Sequence, residues 1–370
     1  MTTTLNYPLA PAPAAAPAAP IAPTAVEEVP AGEAHAIATM MAELKRQLEE
    51  RYVAHRAVVR RDAHPKIVGL VKASFAVHPK CPAELRHGVF GRQETFDAEI
   101  RFSNGAPIIR HDLAIDVRGM AIKLPDVKDE LLREGGQDFL LATGEAFFGS
   151  DAVDYADFPA ASVSPIKTVW YFIRGRRWRA WLRSVQGHVS PAIPFDNEYF
   201  SQTPYRLGPH CVKYSARPLV ARKAADTPWY LRRGIRMIVG IVARLFPRLL
   251  PKSIPERPLR ELLIRELAGG PVTMELLVQR WPDLSRLPAW AIEDATRTWP
   301  LPWIPVATID IHQQRGIEQR DAIAERMSFN PWHGLREHQP LGSINRARLA
   351  VYKEMSAFRN AHNRERKAAV

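Results

Sequence analysis

Apolar positions recur at three- and four-residue spacing from Ala34 to about Ala54, where Ile37, Met40, Met41, Leu44 and Leu48 alternate with Glu and Arg. That is the period of an amphipathic helix. The period then changes. KIVGLVKASFAV (66–77), DAEIRFS (97–103), AIDVRGMAIKL (114–124) and QDFLLA (137–142) are short, β-branched or alternating, and divided by turn residues, which predicts strands. Around 165–186 an aromatic and basic run predicts helix. Strands resume at HCVKYSA (210–216), TMELLVQRW (273–281) and PVATIDIH (305–312), with a helical, Pro-punctuated insert over 224–268 between the first two. A last helix, NRARLAVYKEMSAFRNAHN, follows Ser343, which is suited to cap it. Strands in the middle and helices at both ends predict an α+β fold, an antiparallel barrel or sandwich with helices packed outside it.

Composition narrows the class. The 370 residues are 46% hydrophobic and 24% charged, as in ordinary globular proteins and unlike disordered, collagenous or coiled-coil chains. Residues 1–33 stand apart as an Ala/Pro-rich tail without Lys or Arg, expected to be disordered because it has too little to bury. Prolines break up any signal-peptide core there. The two cysteines, Cys81 and Cys211, have neither metal-ligand spacing nor disulfide density. A cytoplasmic location is the expectation. Residues 34–370 are expected to form one domain, with 224–258 as a helical insert.

The net charge is +12. The tail's only charges are Glu27, Glu28 and Glu33, so the remainder carries about +15. IRMIVGIVARLFPRLL (235–250) is the most apolar stretch, but Arg236, Arg244, Pro247 and Arg248 interrupt it, and a bilayer-crossing helix needs roughly 20 apolar residues. Two readings stand at this point: peripheral contact with a membrane through 224–258, or a helix packed on the barrel or in a homo-oligomer contact. RGRRWRAWLR (174–183) mixes Arg with Trp, but no nucleic-acid-binding fold accompanies it, and nucleic acid is not expected as a partner.

No P-loop, G-x-G-x-x-G after a strand, H-E-x-x-H or G-x-S-x-G is present. The chemistry lies elsewhere. Arg348 precedes Tyr352 by four residues and Arg359 follows it by seven, which puts all three on one helix face. A guanidinium beside a phenol favours the phenolate, a hard ligand for ferric iron. Alone, R-x-x-x-Y describes any amphipathic helix with a surface Arg. Upstream, Arg101 and Ser103 share one strand face, and so do Asp116 and Arg118. His64 follows Arg61 and leads into the first strand. A neutral imidazole there could move a proton between the two oxygens of a peroxide.

Taken together these segments resemble the catalase family. The match runs in order through R-x-x-H-x-K at Arg61–Lys66, RFSN at 101–104, D-x-R-G-x-A-x-K at 116–123 and the pair Phe147–Phe148. It continues through WPLPWIPVATIDI at 299–311, SFNP at 328–331 and R-x-x-x-Y with Arg359 beyond. The resemblance covers about 50–362. It implies a catalase-like antiparallel β-barrel holding haem b, with Tyr352 as the iron ligand and Arg348 supporting its phenolate. It implies His64 as distal acid/base and Ser103 as its hydrogen-bond partner. Arg61, Arg101 and Arg359 match the arginines that neutralise haem propionates, a task suited to a guanidinium fork. Tyr155 falls against the distal haem face and Phe329 in the proximal wall.

There are departures. Catalases place an Asn just before the aromatic pair, where LLATGEAFF has Ala142 or Thr143. A hydroxyl would replace the amide in part, and Thr143 is the catalytic candidate on that ground. The family's His near Lys213–Tyr214 corresponds to Ser215, which predicts a thinner network behind Arg348. The length and the altered site resemble the small catalase-related haem proteins, some of which are similar to coral allene oxide synthase. The function expected is peroxidase-like turnover of peroxides or organic and fatty-acid hydroperoxides, with weak catalase activity. The alternative is a haem-binding carrier or sensor without turnover.

Overall fold

The computed structural model describes residues 23–175, 177–220 and 227–368. Among the described residues nine strands form one antiparallel sheet: β1 (Ile67–Val77), β2 (Thr95–Asn104), β3 (Arg118–Leu124), β4 (Gln137–Ala142), β5 (Tyr199–Phe200), β6 (Tyr205–Leu207), β7 (His210–Pro218), β8 (Val272–Trp281) and β9 (Trp303–Ile311). Their spatial order is β5-β4-β3-β2-β1-β9-β8-β7-β6. The two residues of β5 close the ring, because Phe200 pairs with Ala142 on one side and Ser215 on the other. Eight strands thus make a barrel without free edges, and β6 folds back on β7 outside it. The fold is α+β, a closed antiparallel barrel with helices outside. Strands β1–β4 and β7–β9 fall where alternation predicts them. Strands β5 and β6 are too short to show a period.

The helices are α1 (Glu33–Leu48), α2 (Ala152–Tyr155), α3 (Phe158–Ser162), α4 (Pro165–Arg174), α5 (Trp178–Gly187), α6 (Arg236–Leu245), α7 (Pro258–Gly269), α8 (Trp290–Glu293), α9 (Asp321–Arg326) and α10 (Ser343–Ala368). The barrel core is filled by Phe75, Phe90, Phe102, Phe139 and Tyr214 with aliphatic residues from every long strand. Outside it, α1 packs along α10, and Leu48, Tyr52, Val351, Met355 and Phe358 join in a second cluster.

Two expectations are corrected here. The first 22 residues of the tail lie outside the described residues. Residues 23–33, assigned to the tail by composition, are instead fastened to the body. Arg346 of α10 holds Glu27 (2.5 Å), Glu33 (2.7 Å) and Glu293 (3.1 Å), and Glu27 also accepts the Gly342 N–H. A half-buried guanidinium needs such partners, and the acidic tail residues supply them. Ser343 is not an N-cap. It is the first helical residue, its hydroxyl accepts the Ala152 N–H (3.0 Å), and the helix's first carbonyl partner is Gly342, whose φ is 86°.

Candidate functional site

One cavity of about 1320 Å³ lies between the mouth of the barrel, α1, α10 and the α2–α5 segment. Arg61, His64, Arg101, Ser103, Tyr155, Phe329, Arg348, Tyr352 and Arg359 all line it. Residues from 61 to 359 are brought together because β2 and β3 turn toward the long helix α10 the face opposite the barrel core, where Arg101, Ser103 and Gly119 alternate with the core residues Ile100, Phe102 and Met120.

His64 sits just before β1 with φ 55°, a left-handed conformation costly for a residue with a Cβ. Its neighbours impose it: the His64 N–H donates to Gly105 O (3.3 Å) and Arg101 Nη2 donates to His64 O (2.9 Å). The imidazole Nδ1 lies 3.1 Å from Ser103 Oγ, so the pairing implied by RFSN is present. Burial, followed by the charge of Arg101, lowers the imidazole pKa to about 4. It is neutral at pH 7, with Nδ1 engaged and Nε2 left for a cavity ligand.

Tyr352 and Arg348 face the cavity one helical turn apart, with Arg348 Nη2 3.5 Å from the phenol oxygen. Burial opposes the Arg348 charge, but the Tyr352 and Tyr205 hydroxyls raise its pKa. The network behind it is not thin. Arg348 Nη1 donates to Thr203 Oγ1 (3.3 Å) and Asn345 Oδ1 (3.2 Å), and Thr203 donates to Asn345 Oδ1 (3.0 Å). Asn345 in turn donates to Pro204 O and Leu341 O. Ser215, the position compared with the family's His, donates to Glu198 instead. The sequence reading passed over Asn345, although its spacing of three before Arg348 puts it on the same helix face.

Arg61, Arg101 and Arg359 cluster at another part of the cavity. Arg61 Nη2 donates to Ala324 O (2.8 Å) and Met327 O (2.7 Å), and Nη1 reaches Glu325 (3.3 Å). The Nε atoms of Arg101 and Arg359 are buried without a hydrogen-bond partner. Burial and then the charges of Arg101 and Arg359 depress Arg61 strongly. Burial, with Arg359 adding to it against Glu325, brings Arg101 down to about 10. Three buried cations that repel one another, with unused N–H groups, make a receptor for a ligand carrying carboxylates.

The walls are apolar. Tyr155 packs against Phe147, Phe148 and Phe158 with ring centroids 5.1, 5.4 and 5.4 Å apart, and burial pushes its phenol upward. Phe329 lies under Lys123 (5.6 Å). Its loop is tied to Asp138, which accepts the Asn330 N–H (2.9 Å) and pairs with Lys123 (2.6 Å) and His333 (2.7 Å).

Thr143 is the exception among the candidates. Its hydroxyl donates to Gly187 O (2.7 Å) and accepts the Arg118 N–H (3.0 Å), and the residue is 1% exposed and outside the cavity lining. It bridges two segments of backbone, and its one O–H donor is already spent on Gly187. Ala142, opposite Gly119 in the sheet, faces the cavity with a methyl group. His188 and Gln202 also line the cavity and carry no motif that sequence reading could have used.

No family model matches the chain, and no curated protein matches it either. Solved structures do. A fungal catalase superposes with a TM-score of 0.65 at 16% identity, over 83% of this chain and 61% of that one. Catalase A from Saccharomyces cerevisiae gives 0.65 at 17%, over 83% and 63%. A bacterial catalase gives 0.59 at 17%, over 85% and 60%. The chain thus spans about three fifths of the length of these neighbours. At such identity the likeness shows a shared fold.

Proposed function

We propose that the chain binds one haem b through Tyr352 and turns over hydroperoxides in a peroxidase-like manner, with only weak dismutation of hydrogen peroxide. The observation that carries this reading is the convergence of Tyr352–Arg348, His64–Ser103 and three under-neutralised arginines on one apolar cavity. Arg61, Arg101 and Arg359 would hold the two propionates, Tyr352 the iron, and Tyr155 and Phe329 the macrocycle. When bound, haem supplies a redox-active ferric centre for O–O cleavage.

The chain's own contribution is proton handling and exclusion of water. Neutral His64 accepts at Nε2 the hydroperoxide's proton and returns it to the oxygen that leaves as alcohol or water. Ser103 fixes the ring, and the aromatic wall keeps the site dry. Arg348, held by Asn345 and Thr203, keeps its own positive charge beside the Tyr352 oxygen. At the position where catalases carry an Asn, the Ala142 methyl lines the cavity and offers no hydrogen bond to orient a second hydrogen peroxide. This supports a reading in which organic substrates, fatty-acid hydroperoxides among them, are preferred, as expected of a relative of the small catalase-related, allene-oxide-synthase-like haem proteins.

The test is an absorption spectrum with pyridine haemochrome, for wild type and Tyr352→Phe, followed by addition of peroxide. Haem at one per chain that is lost or spectrally altered in Tyr352→Phe supports the assignment. An unchanged spectrum and stoichiometry refute it. Bound haem with no peroxide-dependent turnover would make the protein a carrier or sensor.

A further inference from the structure

The helix pair α4–α5 and the insert helix α6 leave two apolar faces uncovered, and both border the cavity. On α4, Ile166, Val169, Trp170 and Ile173 are exposed at three- and four-residue spacing, and on α5 Trp178, Trp181, Leu182 and Val185 repeat the pattern. Trp170 is 61% exposed and Trp178 65%. The inner faces pack normally, with Tyr171, Phe172 and Ala180 buried. Helix α6 is apolar on both sides. Val239, Gly240 and Ala243 are buried, with Gly240 packed tightly on Ile115 and Pro191, whereas Ile238, Ile241 and Leu245 point outward.

Within these two segments the charged side chains have one sign, with Arg177 paired to Asp154 just outside them (2.6 Å). Residues 158–195 contain six Lys or Arg and no Asp or Glu, and residues 227–255 contain six and none. Lys167, Arg174, Arg179, Arg232, Arg233 and Arg248 are exposed among the apolar side chains. Soluble surfaces rarely carry contiguous apolar area of this kind. Trp with Arg beside an aliphatic face is the composition of a helix lying at a lipid interface.

Position ties the surface to the site. Val169, Ile173, Trp178, Trp181, Val185 and Met237 are both exposed and part of the cavity lining, so they form its mouth. Arg244 of α6 donates to Ile115 O (2.6 Å), itself a lining residue.

We propose that α4–α5 and α6 together dock the protein on an anionic phospholipid bilayer, with the cavity mouth pressed against the acyl region. A second copy is a poorer occupant, because a two-fold contact would set this cationic surface against itself. A protein lid would also stop the mouth, whereas a bilayer opens it to apolar molecules. Among the described residues no helix is long and apolar enough to cross a membrane, so the attachment is peripheral. The binding stands on the surface alone. Only the corollary, delivery of lipid hydroperoxides to the cavity, rests on the function proposed above.

The experiment is co-sedimentation of the full chain with vesicles of phosphatidylglycerol and phosphatidylcholine in equal parts, against phosphatidylcholine alone, at low and at 0.5 M salt. Anionic vesicles are expected to pellet the protein at least tenfold better, and salt to weaken this. Trp170→Glu combined with Ile238→Glu, both outside the cavity lining, is expected to abolish binding while far-UV circular dichroism stays as in wild type. Equal pelleting with both vesicle types, or full binding by the double variant, overturns the proposal. So does a concentration-dependent dimer that the same substitutions dissociate, which would give the face to a second copy. Because pelleting needs no turnover, loss of the catalytic reading leaves this result interpretable.

Discussion

Gly119 lies directly beneath the imidazole of His64: a β-carbon at this glycine would come within 2.6 Å of both Nδ1 and Cε1, and within 2.9 Å of Ser103 Oγ. The glycine in D-x-R-G is therefore the floor on which the His64–Ser103 pair rests. Gly119→Ala must displace the ring. A misplacement near 1 Å costs on the order of 10² in rate, so peroxide-dependent turnover should fall by about that factor while haem content stays near wild type. A variant with wild-type turnover would show that the ring's position is immaterial.

His64→Ala removes the proton acceptor without touching α10. Turnover should drop by roughly 10² to 10⁴ with haem retained. Because the folded-state pKa is depressed to about 4, wild-type activity should hold as pH falls through 6.5 and decline only near pH 4. Activity within a factor of about three of wild type in the variant, or a wild-type decline centred near pH 6.5, contradicts this role.

Ala142 and Thr143 separate packing from chemistry. Ala142→Asn sets an amide in the cavity wall opposite Gly119 and should raise oxygen release from hydrogen peroxide, since one well-aimed donor matters by a few kcal/mol in a dry site. Thr143→Ala instead removes two buried hydrogen bonds and should destabilise the fold by about 1–3 kcal/mol, read as a lower denaturation midpoint. Fast oxygen evolution by the unmodified protein refutes the premise that the missing amide limits dismutation.

The Asp138–His333 pair sets a pH window for stability. Burial opposes the His333 charge, but Asp138 and Glu134 raise its pKa from 6.5 to about 9. A raised histidine stabilises fully below its unfolded pKa, and that contribution is lost as pH rises through about 9. Asp138, which Lys123 and His333 hold below its ordinary value despite burial, contributes above the ordinary carboxylate range and loses its contribution in acid. The melting temperature should therefore plateau from about pH 5 to 7 and fall toward pH 9.5. His333→Gln should start lower and lose most of the alkaline decline. An equally steep decline in the variant would assign it to other groups.

The barrel was legible wherever a strand was long enough for its alternation to show. Strands β5, which closes the ring, and β6, which lies outside it, are placed by their partners rather than by local sequence, and nothing marked them. The site's charged and aromatic members were legible because each sits in a motif with fixed spacing. The choice between Ala142 and Thr143 was not, since at a strand's end one residue of register exchanges inside for outside. Nor was the boundary of the tail, because Glu27 and Glu33 become structural only when Arg346, more than 300 residues later, comes to meet them.

The cavity is walled by α1 at one end of the chain and α10 at the other, with Met40 and Gln47 contributed by the first and Arg348, Tyr352 and Arg359 by the second. Its barrel floor has every strand partner by Ile311, long before the residues from Ser343 onward exist. During synthesis, which proceeds from the N-terminus, the sheet is therefore able to assemble while its principal chamber still stands open along the whole flank later covered by α10. The chamber is enclosed only once α10 has been made, and the ion pairs of Arg346 with Glu27 and Glu33 fasten that late segment to an early one.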